Sequence, residues 1–381
     1  MRRSERNQTR EALLFLVFFV LLFGILAMKM GGNNMTSTLM ATAHDLIVNT
    51  VLYLMGIIVM TGALCSLFSE FGVIRLLEKL LAPLMKPLFN LPGVAALGAV
   101  MTFMSDNPAI MTLSKDRQFS SYFKKYQMAS LTNFGTAFGM GLVVLITMMG
   151  YDFKGAIVGL VAALIGALLS TRLMQRLTLK AYPELDSPYS PEAASSEENL
   201  DDKEDAVEDT GVFMRFLNAL LDGGKNGVEL SMKIIPGVVI ITTFVIMLTF
   251  GPAADGSYDG SAAQGVPVLP WIAEKVHWLF EGLFGLTDMK LIAFPMTALG
   301  AVGAALGLLP TYMNNGVLDG NSIAVFTAIG IVWSGYLSTH TAMLDSMGYR
   351  KLVSKAILSH TVCGIVAGIL AHLLYLLVGL L

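Results

Sequence analysis

Charge is what this sequence has least of. Asp, Glu, Lys and Arg make up 14% of its 381 residues, whereas 55% are hydrophobic. A soluble domain carries about 25% charged residues, so the composition excludes an ordinary water-exposed globule and defines an integral membrane protein. Cysteine is nearly absent as well. Cys65 and Cys363 stand far apart in apolar stretches, which excludes a disulfide framework and a cysteine metal motif. No phosphate-binding loop, metalloprotease His-Glu-x-x-His or catalytic triad occurs, so the chain does not read as an enzyme and calls for no cofactor. The net charge of −3 comes mostly from one acidic linker and gives no basis for nucleic-acid binding.

What the chain does have is apolar runs. At about 20 residues per span there is room for seven to ten membrane segments. Arg2, Arg3, Arg6 and Arg10 precede an apolar run over residues 12–28, read as an uncleaved first helix with its basic end in the cytoplasm. A polar link follows at Gly31-Gly32-Asn33-Asn34, then a span over 46–68. Residues 73–89 interleave Arg75, Glu78, Lys79 and Lys86 with Leu and Met at helical spacing, the pattern of a helix lying in the interface. Further spans are expected at 127–149, 154–172, 228–250, 323–347 and 356–380, with a second interfacial segment at 271–284. Residues 181–211 are rich in Glu, Asp, Ser and Pro, as a disordered cytoplasmic linker should be. The domains are therefore 1–43, an N-terminal helix and link; 44–180, a first repeat; 181–211, the linker; and 212–381, a second repeat.

Residues 92–113 pose the sharpest question. They place Ser105-Asp106-Asn107-Pro108 inside an apolar segment, where a carboxylate and a missing backbone donor are costly in lipid. A full span here would put Lys115, Arg117, Lys124 and Lys125 outside, against the positive-inside rule. A re-entrant hairpin turning at 105–108 keeps them inside. The corresponding segment in the second half is 291–318. Several pairs suggest an internal repeat: Gly56-Ile57-Ile58-Val59 with Gly237-Val238-Val239-Ile240, Glu78-Lys79 with Glu274-Lys275, Leu88-Phe89 with Leu283-Phe284, and Ala96 to Val100 with Ala298 to Val302, which sets Pro108 on Pro310. Loop charges orient the two halves oppositely. The fold class expected is an all-α polytopic membrane protein with two inverted-topology repeats, re-entrant helical hairpins and interfacial helices, an architecture of many secondary transporters.

On Gly56-Ile57-Ile58-Val59, Phe103 through Asn107-Pro108-Ala109-Ile110-Met111, and Pro236 to Ile240, the sequence resembles the Gate, or nucleoside-recognition, family. Its relatives include the membrane portion of FeoB ferrous-iron transporters, spore maturation proteins and concentrative nucleoside transporters. The resemblance covers residues 44–150 and 225–375 through short motifs. FeoB-like members carry Cys-Asn-Val-Pro-Ala at the tip, where this chain has Ser105-Asp106-Asn107-Pro108-Ala109. The thiol and an N-terminal GTPase domain are both missing, which weighs against iron uptake.

Candidate substrate-binding residues fall into four groups: Ser105, Asp106 and Asn107 at hairpin 1; Thr132 and Asn133, with Thr136, on the next helix; Asn314 and Asn315, with Thr311, at hairpin 2; and Ser334, Thr339 and His340, with Ser338, Thr341 and Asp345, on the helix after it. Amides and hydroxyls suit a polar organic solute or a coordinated cation. Capping also accounts for Asp106 and Asn107, interhelical hydrogen bonding for Asn133, and a turn for Asn314-Asn315-Gly316. His340 reads as a packing histidine or as a proton or metal group, and Glu229 as a helix-start charge or a gate residue, whereas Glu70, His360 and His372 read as structural. The function expected is secondary transport of a small polar solute, with a nucleoside or nucleobase as candidate, coupled to H⁺ or Na⁺. Divalent-cation passage and a non-transporting assembly role are the alternatives. The partners are the solute and the bilayer, with a homo-oligomer compatible. The expected location is the plasma membrane, with the N-terminus and linker cytoplasmic and the C-terminus external.

Overall fold

The computed structural model describes residues 2–105, 108–115, 117–189 and 211–380. Among these, six helices are long and apolar enough to cross a membrane. Helix α1 (Arg2–Met30) and helix α2 (Gly32–Glu70) are separated by Gly31 alone, whose φ of 82° breaks the helix between them. The expected polar link at 31–34 is therefore mostly helical. Asn33 and Asn34 sit in the first turn of α2, and the Asn34 amide donates to the Tyr258 carbonyl of a distant loop. At 1.5 Å per residue α2 is about 58 Å long, well beyond a hydrocarbon core of about 30 Å. Its N-terminal part projects past the membrane and meets that loop, where Thr42 accepts a bond from the Ala263 backbone N–H (3.0 Å).

The remaining elements come in two sets of the same order. The first set is α2, the amphipathic α3 (Val73–Leu84), a hairpin of α4 (Ala95–Met104) and α5 (Pro108–Lys115), an interrupted helix of α6 (Lys125–Thr136) and α7 (Gly141–Met149), and the long α8 (Phe153–Ala181). The second set is α9 (Val212–Thr249), the short α10 (Val268–Glu274) and α11 (His277–Phe284), a hairpin of α12 (Met289–Ala298), α13 (Val302–Leu306) and α14 (Leu309–Asn314), an interrupted helix of α15 (Gly320–Val332) and α16 (Tyr336–Ser346), and the long α17 (Arg350–Gly379). Helices α2 and α9 each contain a π-helical stretch, at Leu46–Val51 and Gly237–Ile241.

Local chemistry matches between the sets. Asn90 (φ 54°) and Gly285 (φ 64°) each end an interfacial segment in the left-handed conformation. Each end is then clasped by side-chain amides. Gln175 donates to the Phe89 carbonyl (3.0 Å) and Gln127 to that of Asn90 (2.6 Å). Asn321 donates to Phe284 (2.9 Å) and Gly285 (3.2 Å), with His372 on its Oδ1 (2.8 Å). At the starts of the interrupted helices Gln127 Oε1 accepts from the Lys124 N–H (2.9 Å) and Asp319 forms a capping box with Ser322, and Met140 (φ 54°) and Gly335 (φ 77°) mark the interruptions. One constant offset in residue number relates all four pairs, and it also relates Leu88-Phe89 to Leu283-Phe284.

That offset revises two pairings drawn from sequence. It aligns Ser105 with Gly300, so Pro310 falls well past the second hairpin's tip rather than opposite Pro108. Pro310 starts α14, where its missing N–H costs nothing. Similarly, Gly237 opens its π stretch, whereas Gly56 lies beyond the π stretch of α2.

Counterpart elements run antiparallel. In the α2–α9 crossing Gly62 lies on Gly223 and Val59 on Gly227, backbone against backbone, with Glu70 and Arg215 paired at 2.6 Å at one end. Small residues permit this close approach where lipid supplies no hydrophobic drive. In the α8–α17 pair, Lys154 donates to the Val378 carbonyl (3.3 Å), Gly166 packs on Ala367, and Lys355 lies over the Tyr182 ring (5.4 Å). Helix α6 packs on α16, and α7 on α15.

Candidate functional site

Both hairpins fold back on themselves; the first meets a helix interruption through Phe103, near the end of its first limb, and the second through its tip. In the first, Gly98 faces Ile110 and Leu113 across the two limbs. Its Phe103 ring lies against Gly141, where a Cβ would collide with it, and Ile110 fills the space beside Gly135. The Cys65 thiol donates to the Met104 carbonyl (3.1 Å). In the second hairpin, Tyr312 Oη donates to the Lys290 carbonyl (3.0 Å), tying the limbs together. Its tip at Leu299-Gly300-Ala301 touches the other interruption, with the Gly335 N–H on the Ala298 carbonyl (3.3 Å) and the Leu337 N–H on that of Leu299 (3.5 Å). Val302, just past this tip, contacts Gly330 on α15, which also faces Val144 on α7.

The two interruptions were not foreseen, since residues 127–149 and 323–347 were expected as continuous spans. Both occur in apolar sequence. The local signals are Gly135, Gly139 and Gly141 in one and Gly335 in the other, and Gly335 has φ 77° with the Gly300 carbonyl closely packed against it. A side chain at this position would be strained and crowded.

The expected site residues separate into distinct sets. Thr132, Asn133 and His340 are fully buried and Ser334 nearly so; Thr339 is half-buried, donating to the Gly335 carbonyl (3.0 Å). Thr136, also buried, donates to the Thr132 carbonyl (2.8 Å), with Met343 Sδ 3.9 Å away across the α6–α16 contact. Ser105 is exposed and bonds back to the Met101 carbonyl (2.7 Å) as the last residue of its limb. Asp106 and Asn107 lie outside the described residues. Asn314 and Asn315 are exposed at the far end of hairpin 2; Asn315 only closes its own helix through the Thr311 carbonyl (2.8 Å). The register shift explains this placement, because the residues opposite Ser105 are Leu299-Gly300-Ala301. Asp345 and Thr341 are exposed, with Asp345 3.8 Å from Arg350.

A buried polar cluster forms on the Lys125 side of the interruptions. Asn133 Nδ2 donates to Ser170 Oγ (3.0 Å), Ser359 Oγ (2.9 Å) and the Ala356 carbonyl (3.2 Å). Ser170 Oγ lies 2.7 Å from His360 Nδ1, and His360 Nε2 lies 2.6 Å from the Val332 carbonyl at the end of α15. Trp333 Nε1 donates to the His360 carbonyl (3.1 Å), and Tyr336 Oη pairs with Thr361 (2.6 Å). Asn133 Oδ1, Thr132 Oγ1 and both ring nitrogens of His340 are buried without a hydrogen-bond partner. Buried polar atoms are nearly always satisfied, so these unpaired acceptors and donors mark the place where a polar guest would be held. His360 and Ser170 are the residues that sequence reading passed over. His360 stood near an expected span boundary, and nothing in the sequence links it to Asn133. On the other side, where α7 meets α15, the buried hydroxyls Thr147 and Thr327 bond to carbonyls of their own helices (2.8 and 2.7 Å), and Phe294 and Phe326 stack at 4.2 Å.

Paired hairpins aimed at paired helix interruptions define a polytopic, all-helical membrane protein. Residues 51–152 match the Gate family, described as nucleoside recognition, which bears out the resemblance over that segment. A curated relative, an uncharacterised protein of Alkalihalophilus pseudofirmus strain OF4, is 30% identical over 116 residues, 29% of this chain and 25% of that protein. The match thus spans about a quarter of the relative's length. Among solved structures, a double variant of CNTnw in an outward-facing state aligns with 98% of this chain and 87% of its own at TM-score 0.57 and 14% identity. A second CNTnw double variant in an outward-facing state gives 0.53 over 98% and 86% at 14% identity. CNTnw in an inward-facing, substrate-bound state gives 0.50 over 87% and 80% at 12% identity. These neighbours are concentrative nucleoside transporters, and the fold of this chain is theirs.

Proposed function

We propose that this protein is a secondary transporter of a small polar solute, nucleoside-like in chemistry, driven by H⁺ or Na⁺. The observation that carries the reading is the convergence of two hairpins on two helix interruptions beside Asn133, Thr132 and His340, whose unpaired atoms are fully buried. The Gate match and the CNTnw-like fold support a nucleoside over other solutes. The groups gathered there are amides, hydroxyls and imidazoles, which suit a base or sugar better than a hard divalent cation needing several oxygen ligands.

The antiparallel counterparts and the constant offset support reading the halves as inverted repeats, and alternating access follows from that relation. The site is closed in this structure, so a solute enters only when a hairpin moves away from its interruption. Bonds such as Gly335 to Ala298 at 3.3 Å are few enough to be exchanged in such a motion.

The expected orientation also gains support. Lys124, Arg172, Tyr182 with Lys351 and Lys355, and the Glu70–Arg215 pair all lie at one end of the helix bundle, and the positive-inside rule makes that end cytoplasmic. The C-terminus then faces outward, and the plasma membrane is the compartment proposed. The test of binding is a thermal-shift screen of detergent-purified protein against nucleosides, nucleobases, amino acids and divalent metals. Stabilisation by nucleosides that disappears in Asn133→Ala is expected. Stabilisation by metals alone would move the reading to cation passage.

A further inference from the structure

We propose that His340 is the group that carries the coupling proton, working beside a second imidazole, His360, that stays neutral. This inference rests on the transport reading above and assigns its coupling ion. The two rings are fully buried with centroids 4.7 Å apart, and Tyr336 stacks edge-on to His340 at 5.4 Å.

The hydrogen bonds give the two imidazoles different roles. The Val332 carbonyl can only accept, so the proton of His360 sits on Nε2. His360 Nδ1 must then accept from the Ser170 hydroxyl, which itself accepts from Asn133. A second proton on His360 would turn that hydroxyl away from its acceptor and leave its hydrogen without one, so this ring is held neutral and in a fixed tautomer. His340 has no such constraint. Neither of its ring nitrogens has a hydrogen-bond partner, although the Tyr336 carbonyl one turn back faces the ring. A packing role alone would be served better by an apolar ring, since an unpaired buried polar group is costly.

The surroundings suit a mobile proton. Helix α17 presents His360 to this layer and α8 presents Ser170, while Cys363 of the first helix and Arg172 and Arg176 of the second line an outer groove instead. Helix α6 carries Asn133, joined to His360 through Ser170, and the neighbouring Thr132; the Oδ1 of one and the Oγ1 of the other have no partner and carry no charge. Along α16 the titratable groups are Tyr336 and, at its exposed far end, Asp345 beside Arg350. Hairpin α12–α14 contributes no charge at its tip, and Asp106 lies outside the described residues. Two imidazoles this close do not both ionise, which sets one proton per cycle. His340 forms one N–H bond with a proton taken from water on one side and returns that proton to water on the other. The switch is mechanical: His340 lies little more than a turn beyond Gly335, whose N–H is held by the hairpin tip at Ala298, so movement of the tip carries the ring with it.

Two measurements on the full chain decide the matter. With ¹⁵N-histidine labelling in nanodiscs between pH 5 and 9, the signal lost in His340→Gln is expected to titrate, and that of His360 to keep its Nε2–H tautomer throughout. A non-titrating His340, or a titrating His360, overturns the proposal. In proteoliposomes with the membrane potential clamped, an inside-alkaline step of one pH unit is expected to accumulate radiolabelled uridine up to about tenfold. His340→Gln and His340→Asn should lose that accumulation, and the histidine titration separates loss of the proton group from loss of solute binding. Accumulation that survives in both variants, or that a Na⁺ gradient alone drives, overturns the proposal. Absent counterflow in the unmodified protein would instead overturn the nucleoside-transport reading, and the histidine titration still decides the proton site.

Discussion

In Asn133 the two ends of one amide meet different surroundings. Its Nδ2 ties α6 to both long helices through Ser170, Ser359 and the Ala356 carbonyl, while its Oδ1 is left unpaired. Asn133→Ala should cost about 1–3 kcal/mol, because it strands buried hydroxyl partners; the detergent thermal midpoint reads this out. Asn315→Ala should stay within about 0.5 kcal/mol, as expected for an exposed residue away from such networks. Equal losses for both would contradict the placement. At this scale the sequence was partly legible. Asn133, Thr132 and His340 stood out as polar groups in apolar helices, and the structure brings them to one layer. His360 did not stand out, because its significance comes from Ser170 and Val332, both far away along the chain. Asn314 and Asn315 were chosen on a register that small apolar residues cannot fix.

The elements carry the machinery of movement and the joints that resist it. The α2–α9 crossing depends on Gly62, Gly223 and Gly227, where any Cβ at Gly223 or Gly227 would meet backbone of the opposite helix. Gly227→Leu should therefore force the helices apart and sharply reduce the yield of monodisperse protein, measured by size-exclusion chromatography. Gly224→Leu, where the added side chain meets only Val59 at 3.7 Å, should be tolerated. Hairpin 1 should instead be a moving part. Cys65 already touches Met104 through its thiol, so an oxidised Cys65/Met104→Cys pair should stop solute counterflow, with recovery on reduction. Unchanged counterflow in the cross-linked protein would assign hairpin 1 to the static scaffold. Interfacial segments were readable from charge spacing, and Leu88-Phe89 with Leu283-Phe284 set the correct register. The hairpin register and the helix interruptions were not readable. Ala, Leu, Gly and Val recur by composition alone, and a left-handed Met140 has no sequence signature.

At the scale of the whole molecule, the proposal that the halves face opposite sides of a membrane rests on antiparallel counterparts and the gathering of cations at one end. Cysteines introduced at Lys124 and Ser257 should be labelled by membrane-impermeant reagents from opposite sides, Ser257→Cys from outside. Labelling of both from one side would break the topology. The buried cluster lies on the Lys125 side of the interruptions, whereas Phe294 stacks on Phe326 on the other side, so the candidate site is not repeated in the two halves. The central claim is that a solute passes through that site. Counterflow of radiolabelled nucleosides into proteoliposomes preloaded with unlabelled nucleoside tests it most directly. The account predicts transient accumulation by the purified protein that falls to the level of empty liposomes in Asp106→Ala and in Asn133→Ala. No accumulation of any nucleoside by folded, correctly inserted protein would contradict it.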